Sequence, residues 1–340
     1  RSLRYFEIKE PMIKTDIVII GAGASGMMAA HFCAQKGKEV YLLDHNKQVG
    51  RKIIISGGGK CNFTNRLGSN SSDYDSQNPH FVKSALSRYG VHDFMELIER
   101  YGVPYEERAL GKLFCLRSAK DINKMLSALI DKPNIKLCLE QSGLQVEKVD
   151  EGFHIFNNQL NIFSSKLIIA TGGLVLPEIG ASDFGYVIAK KFGHKIIPTR
   201  PALVPFTIPG FTELAGNAFV VGITCNRYYV EENVLFTHKG LSGPAILKTS
   251  LFWNHDDPIE INWLPNDSIE AHFRKSAGGV QLSSVLKKIF PNSFVQVFLN
   301  RIQIDPTILM ANLTKEIRDK IQKEIHSTII VPSGTEGFRK

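Results

Sequence analysis

The residues Gly21-Ala22-Gly23-Ala24-Ser25-Gly26 carry the glycine spacing of a turn built to receive a pyrophosphate. Gly21 permits a sharp turn, Gly23 removes a side chain where the anion approaches, and Gly26 lets the following helix pack closely. The first N–H groups of that helix and the positive end of its dipole then face the phosphate. Asp44 stands 18 residues beyond Gly26, where a carboxylate takes the hydroxyls of an adenosine ribose and repels a 2′-phosphate. His45, beside it, belongs to the same candidate site.

A second cluster begins six residues after Asp44. It runs Gly50-Arg51-Lys52, then Ser56-Gly57-Gly58-Gly59-Lys60-Cys61-Asn62. Three successive glycines expose three backbone N–H groups that can converge on an oxygen anion. Arg51, Lys52 and Lys60 add positive charge. A plain surface loop explains neither these cations nor their place just past the ribose-binding acid.

The elements that must hold these residues are legible around them. The apolar run 17–20 reads as a parallel strand buried on both faces. A helix follows to a stop at Gly37, and a second strand occupies 40–44. Residues 65–79 read as a polar surface loop, and 80–101 have helical spacing. Short strands are expected at 113–115, 135–139 and 144–149, and a helix from Asp121 to Ile130. A meander follows at 154–163, then a buried strand at 166–171 ending in Gly172-Gly173, then a helix at 183–192. Pro198, Pro201, Pro205 and Pro209 mark a domain entry. Strands at 203–208, 219–225, 228–236 and 259–263 come next, then helical stretches near 280–300 and 306–326. Thr314 is placed to cap the last helix, and Ile317, Ile321 and Ile325 form its apolar stripe.

The chain has 340 residues, 43% apolar and 22% charged, enough for two domains of ordinary globular composition. It has no apolar run long enough to span a membrane, and residues 1–11 do not form a secretory signal. Met12 is a candidate natural start. Five widely spaced cysteines without a CxxC suit a reducing cytoplasm and give neither a disulfide framework nor a metal site. Without secretion, the glycosylation match at Asn62-Phe63-Thr64 has no meaning. The net charge is +8, and residues 274–340, with eleven Lys/Arg and five Asp/Glu, carry +6 of it. Those charges interleave with acids and lack an aromatic stacking pattern, so a solvated helix face is expected there and nucleic acid is not expected as a partner.

The glycine fingerprint alone leaves NAD and FAD open. Its continuation, from Gly50-Arg51-Lys52 to Cys61-Asn62-Phe63-Thr64-Asn65, resembles the BaiN-like FAD-dependent flavoproteins. Further matches follow in order at 76–85, Ala170-Thr171-Gly172-Gly173-Leu174, 203–206, 235–245 and 334–338. The resemblance implies FAD bound by a Rossmann-like α/β domain over 13–195 and 333–340. It implies an insert over 196–332, β-barrel-like to about 265 and helical after it. It assigns 21–26 to the pyrophosphate, and Lys52 with 56–62 to the pyrophosphate and flavin side. It puts Ala170, Thr171, Gly172 and Gly173 near the cofactor and gives Gly143 a backbone contact to adenine. It also implies a return segment, closing over the flavin, that lies beyond Lys340.

The expected activity is hydride transfer between flavin and an unidentified small molecule, with NAD(P)H or O2 as redox partner. His238 and Cys61 are the candidate catalytic side chains, each against a plainer structural role. The rivals are an NAD-dependent dehydrogenase and a non-catalytic flavin- or RNA-binding protein using the basic region.

Overall fold

A computed structural model describes residues 11–339 except 69, 71–73, 75, 77 and 79. Residues 1–10 and part of the 65–79 loop, including members of the 76–85 match, therefore lie outside the described residues. The chain divides after Pro198 into two compact units.

The first unit opens with β1 (Ile13–Ile20), α1 (Ala24–Gln35) and β2 (Val40–Leu43). Next come α2 (Arg51–Ile55), β3 (Asn62–Asn65), α3 (Lys83–Arg88) and α4 (Val91–Arg100). They are followed by β4 (Tyr105–Arg108), β5 (Lys112–Cys115), α5 (Lys120–Ile130) and β6 (Ile135–Cys138). The unit closes with β7 (Gln145–Val149), β8 (Gly152–Phe156), β9 (Asn161–Ile169) and α6 (Phe184–Lys191). A six-stranded sheet has the order β6-β2-β1-β9-β8-β7, its first four strands parallel and its last three an antiparallel meander. β3, β5 and β4 form a separate antiparallel sheet.

β1 is central, and its side chains alternate between two cores. Ile17 and Ile19 pack with Met27 and Ala30 of α1 and with Met125 and Leu126 of α5. Val18 and Ile20 pack with Ile155, Ile162 and Ile188 on the other side. That is the physical reason for an unbroken apolar run. Burying each such side chain contributes about 1.5–3 kcal/mol.

In the second unit the strands are β10 (Phe206–Thr207), β11 (Ala218–Cys225), β12 (Tyr228–Thr237), β13 (Gly240–Ser242) and β14 (Ile259–Asn262). Two more, β15 (Thr328–Ile330) and β16 (Gly334–Thr335), complete an antiparallel sheet ordered β15-β14-β11-β12-β13-β10-β16. The helices are α7 (Gly243–Thr249), α8 (Ile269–Lys275), α9 (Leu282–Leu286), α10 (Asn292–Arg301) and α11 (Lys315–His326). Phe236, Trp263 and Phe294 pack together in its core, Phe236 stacked on Trp263 and Phe294 tilted against both, with ring centroids 5.2–6.1 Å apart. Thr314 caps α11 by accepting from the Ile317 N–H at 3.3 Å.

Several elements differ from the sequence reading. The helical stretch 80–101 is broken at Gly90, whose N–H donates to Asp93 to start α4. The strand expected at 166–171 is the far half of β9, and it is only partly buried, because β8 pairs with 161–164 alone. Gly334 and Thr335, grouped by sequence with the first domain, pair with Thr207 and Phe206 in the second sheet. The second glycine cluster forms a short helix and a left-handed turn instead of an open loop.

Candidate cofactor site

The turn after β1 is closed by the sheet itself. Gly21 donates to the Leu43 carbonyl at 2.7 Å with φ +109°. A Cβ on Gly21 would meet the Ala170 carbonyl oxygen at 2.4 Å, and one on Gly26 would meet the Gly21 carbonyl oxygen at 1.7 Å. Both glycines are therefore demanded by close backbone contact. Gly23 differs, because a Cβ there meets nothing within 4 Å. It opens onto a cavity of about 680 Å³ at the carboxyl ends of β1, β2 and β9. The 12-residue helix α1 begins on the same wall.

Asp44 directly follows β2 and is buried. One carboxylate oxygen accepts from the Ala22 N–H at 2.7 Å. The other accepts from the backbone N–H and the side-chain amide of Asn46 at 2.8 and 2.9 Å. The Asn46 carbonyl in turn accepts from the Arg51 guanidinium at 2.8 Å. Acid, amide and guanidinium thus form one chain of hydrogen bonds along the wall. Lys52 Nζ donates to the Gly173 carbonyl at 3.2 Å, and partial burial pulls its ammonium below the ordinary lysine range. The His45 imidazole packs against Gly180, where a Cβ would come within 2.1 Å of Nε2.

The cavity collects Gly21, Ala22, Gly23, Ala24, Ser25, Asp44, His45, Arg51, Lys52, Gly143, Ala170, Thr171 and Gly172 from the residues expected by sequence. Gly26 lies beneath it as packing. Gly173 is tied to it through Lys52. The lining does not include Ser56, Gly57, Gly58, Gly59, Lys60, Cys61 or Asn62. Gly57 is turned onto the small sheet instead, where a Cβ would meet Asn62 N at 2.7 Å and the Phe114 ring at 3.0 Å. His238 is exposed in the turn between β12 and β13 of the second unit. Sequence reasoning missed Asn46, Gln141 and the segment 179–182. Asn46 had a signal, two residues after a buried strand-end acid, whereas 179–182 carries no motif.

The cavity fits an extended dinucleotide. It offers a glycine turn at a helix N-terminus, a strand-end carboxylate and two cations, Arg51 and Lys52, that pair with no carboxylate among the described residues. Among the described residues no group of three or more metal-ligating side chains occurs. No helix among them is long and apolar enough to cross a membrane.

A parallel sheet with this glycine turn at its carboxyl edge defines a Rossmann-type dinucleotide-binding protein. A family model for the HI0933-like protein Rossmann domain matches residues 15–300, and the chain belongs to that family of FAD-binding flavin-dependent oxidoreductases. FAD is thus the cofactor, and the NAD-dependent alternative falls away. The chain is 41% identical over 341 residues to the ribosomal RNA dihydrouridine synthase of Escherichia coli, covering 96% of this chain and 84% of that one. It is 39% identical to the protein of the same name from Haemophilus influenzae, covering 95% and 83%. The resemblance to BaiN-like flavoproteins also holds. The 3-dehydro-bile acid delta(4,6)-reductase of Clostridium scindens is 25% identical over 95% of this chain and 84% of its own.

Two expectations are overturned here. The small-molecule substrate and the absence of a nucleic-acid partner both conflict with the names of the relatives near 40% identity. The reason is physical. A dinucleotide cradle fixes the cofactor and the kind of redox step, and says nothing about the size of the molecule that meets the flavin.

Proposed function

We propose that the chain reduces a uridine of ribosomal RNA to dihydrouridine, saturating the C5–C6 bond of the base. The observation that carries this reading is the similarity, across almost the whole chain, to two proteins named for that reaction. Bound FAD, once reduced, supplies the hydride for the uracil ring.

The chain's own residues then bind and orient. The backbone N–H groups around Gly23 and the start of α1 would hold the pyrophosphate, and Arg51 and Lys52 would balance its charge. Asp44 would face the adenosine ribose while its second set of hydrogen bonds keeps Asn46 and Arg51 in place. Gly143 and its neighbours would border the adenine, and 170–172 would border the part of the cofactor that crosses the strand ends. We assign the cofactor domain to 13–195, a boundary supported by the break after Pro198. A ribosomal RNA substrate also implies a cytoplasmic location.

The test uses ribosomal RNA from cells lacking the gene. Incubation with the purified, flavin-loaded, reduced protein is expected to raise dihydrouridine, measured by mass spectrometry of nucleosides. No increase with protein that holds FAD would overturn the reading.

A further inference from the structure

The three-stranded sheet brings together two thiols that the cavity does not use. Cys61 directly precedes β3 and Cys115 ends β5, and these are neighbouring antiparallel strands. Asn62 pairs with Phe114 on one side of the two cysteines. On the other, the Cys115 N–H donates to the Lys60 carbonyl at 2.8 Å. The backbones are thus clamped before and after the pair. Cys61, at φ +48°, lies between these two anchors, beside Cys115 at the end of β5. Both side chains are buried.

We propose that Cys61 and Cys115 are a reversible dithiol–disulfide site whose oxidant is hydrogen peroxide. The proposal stands apart from the RNA reading. The Cys61 thiolate attacks one peroxide oxygen, the O–O bond breaks, and the departing oxygen leaves as water with the proton that Cys61 released. The sulfenic acid formed on Cys61 is then attacked by the Cys115 sulfur. The S–S bond forms, the S–OH bond breaks, and the Cys115 proton leaves with that hydroxide as a second water. Two thiols lose two electrons, and one hydrogen peroxide gains them.

The surroundings favour Cys61 as the attacking sulfur. The neighbouring Cys115 thiol pulls Cys61 down to about 7 against the raising effect of its burial. Cys115 is pushed up by Cys61 and by burial, so it keeps its proton until the second step. Burial raises Cys33, Cys138 and Cys225, the last to about 11. The adjoining turn is open to solvent, since Cβ positions on Gly58 and Gly59 meet nothing within 4 Å. The disulfide would anchor the end of that turn to β5.

The experiment titrates the reduced full-length protein with hydrogen peroxide, alkylates what remains free, and maps peptides by mass. The expected result is a fall from five alkylatable thiols to three. A cross-linked Cys61/Cys115 peptide should appear, and dithiothreitol should restore both thiols. In Cys115→Ser, Cys61 should instead be captured by dimedone as the sulfenic acid. The proposal is overturned if Cys33 or Cys138 oxidises while Cys61 and Cys115 remain alkylatable. Oxidation of Cys61 to the sulfinic acid in the wild-type chain, without the cross-link, also overturns it. The wild-type map decides the matter even if the variant folds poorly.

Discussion

Asp44 carries two duties. It faces the cavity, and it satisfies the Ala22 N–H together with both donors of Asn46. Removing a buried acceptor leaves those donors unpaired, at about 1–3 kcal/mol. Asp44→Ala is therefore expected to lower FAD occupancy, read from the visible spectrum, and to lower the unfolding midpoint modestly. Unchanged flavin content would show that the carboxylate serves only the turn. Asp44 was legible from its spacing to Gly26 alone. Asn46 carried only the weaker signal of its place two residues after that acid, since an asparagine after a strand is ordinary turn chemistry. His326 gives a second residue-level test. Its Nε2 accepts from the Ile269 N–H at 3.4 Å, and its Nδ1 faces the Asn262 carbonyl oxygen at 3.1 Å, so the neutral ring is the one that fits. Burial lowers its pKa from the ordinary 6.5. The unfolded chain thus binds the proton more readily, and this contribution is present above about pH 6.5 and lost as pH falls below it. The melting temperature should drop between pH 7 and 5, and the drop should shrink in His326→Gln. Equal slopes would remove His326 from the explanation.

At the scale of elements, the β1–α1 turn separates packing from binding. Gly26→Ala forces a methyl into the Gly21 carbonyl and is expected to cost about 3 kcal/mol. Gly23→Ala meets open space and should cost under about 1 kcal/mol of stability as a weaker helix cap. Its effect should fall on FAD retention, because the methyl occupies the approach of the pyrophosphate. Thermal melts of the two cofactor-free variants, set beside their flavin content, check this. A large loss of stability in Gly23→Ala would contradict the division. The parallel strands and their glycine turn were readable because a strand buried on both faces leaves an unbroken apolar run. Residues 56–62 have the composition of an anion-binding loop, a triglycine beside lysines, yet they do not line this cavity. Composition does not show which way such a turn faces, and Gly57 packs on Phe114. The break at Gly90 was hidden inside a continuous apolar spacing, since a single glycine is also tolerated within a helix.

For the whole molecule, a net charge of +8 is the feature that the proposed RNA substrate would put to use. Ribosomal RNA binding should weaken steeply as salt rises from about 50 to 200 mM, because neutralised phosphates release counterions. Binding that ignores salt would argue against that use of the charge. The sequence showed the charge and its excess over 274–340, but interleaved acids gave it the pattern of an ordinary helical surface. Handedness offers a last consequence. Chains of L-residues favour right-handed backbone nearly everywhere, yet Gly57, Gly58 and Gly59 run consecutively at φ +56°, +64° and +82°. That triplet traces a stretch of mirror-image backbone. Its conformation is the one D-amino acids prefer, so a semisynthetic protein with D-alanine at Gly58 should keep the turn that L-alanine strains.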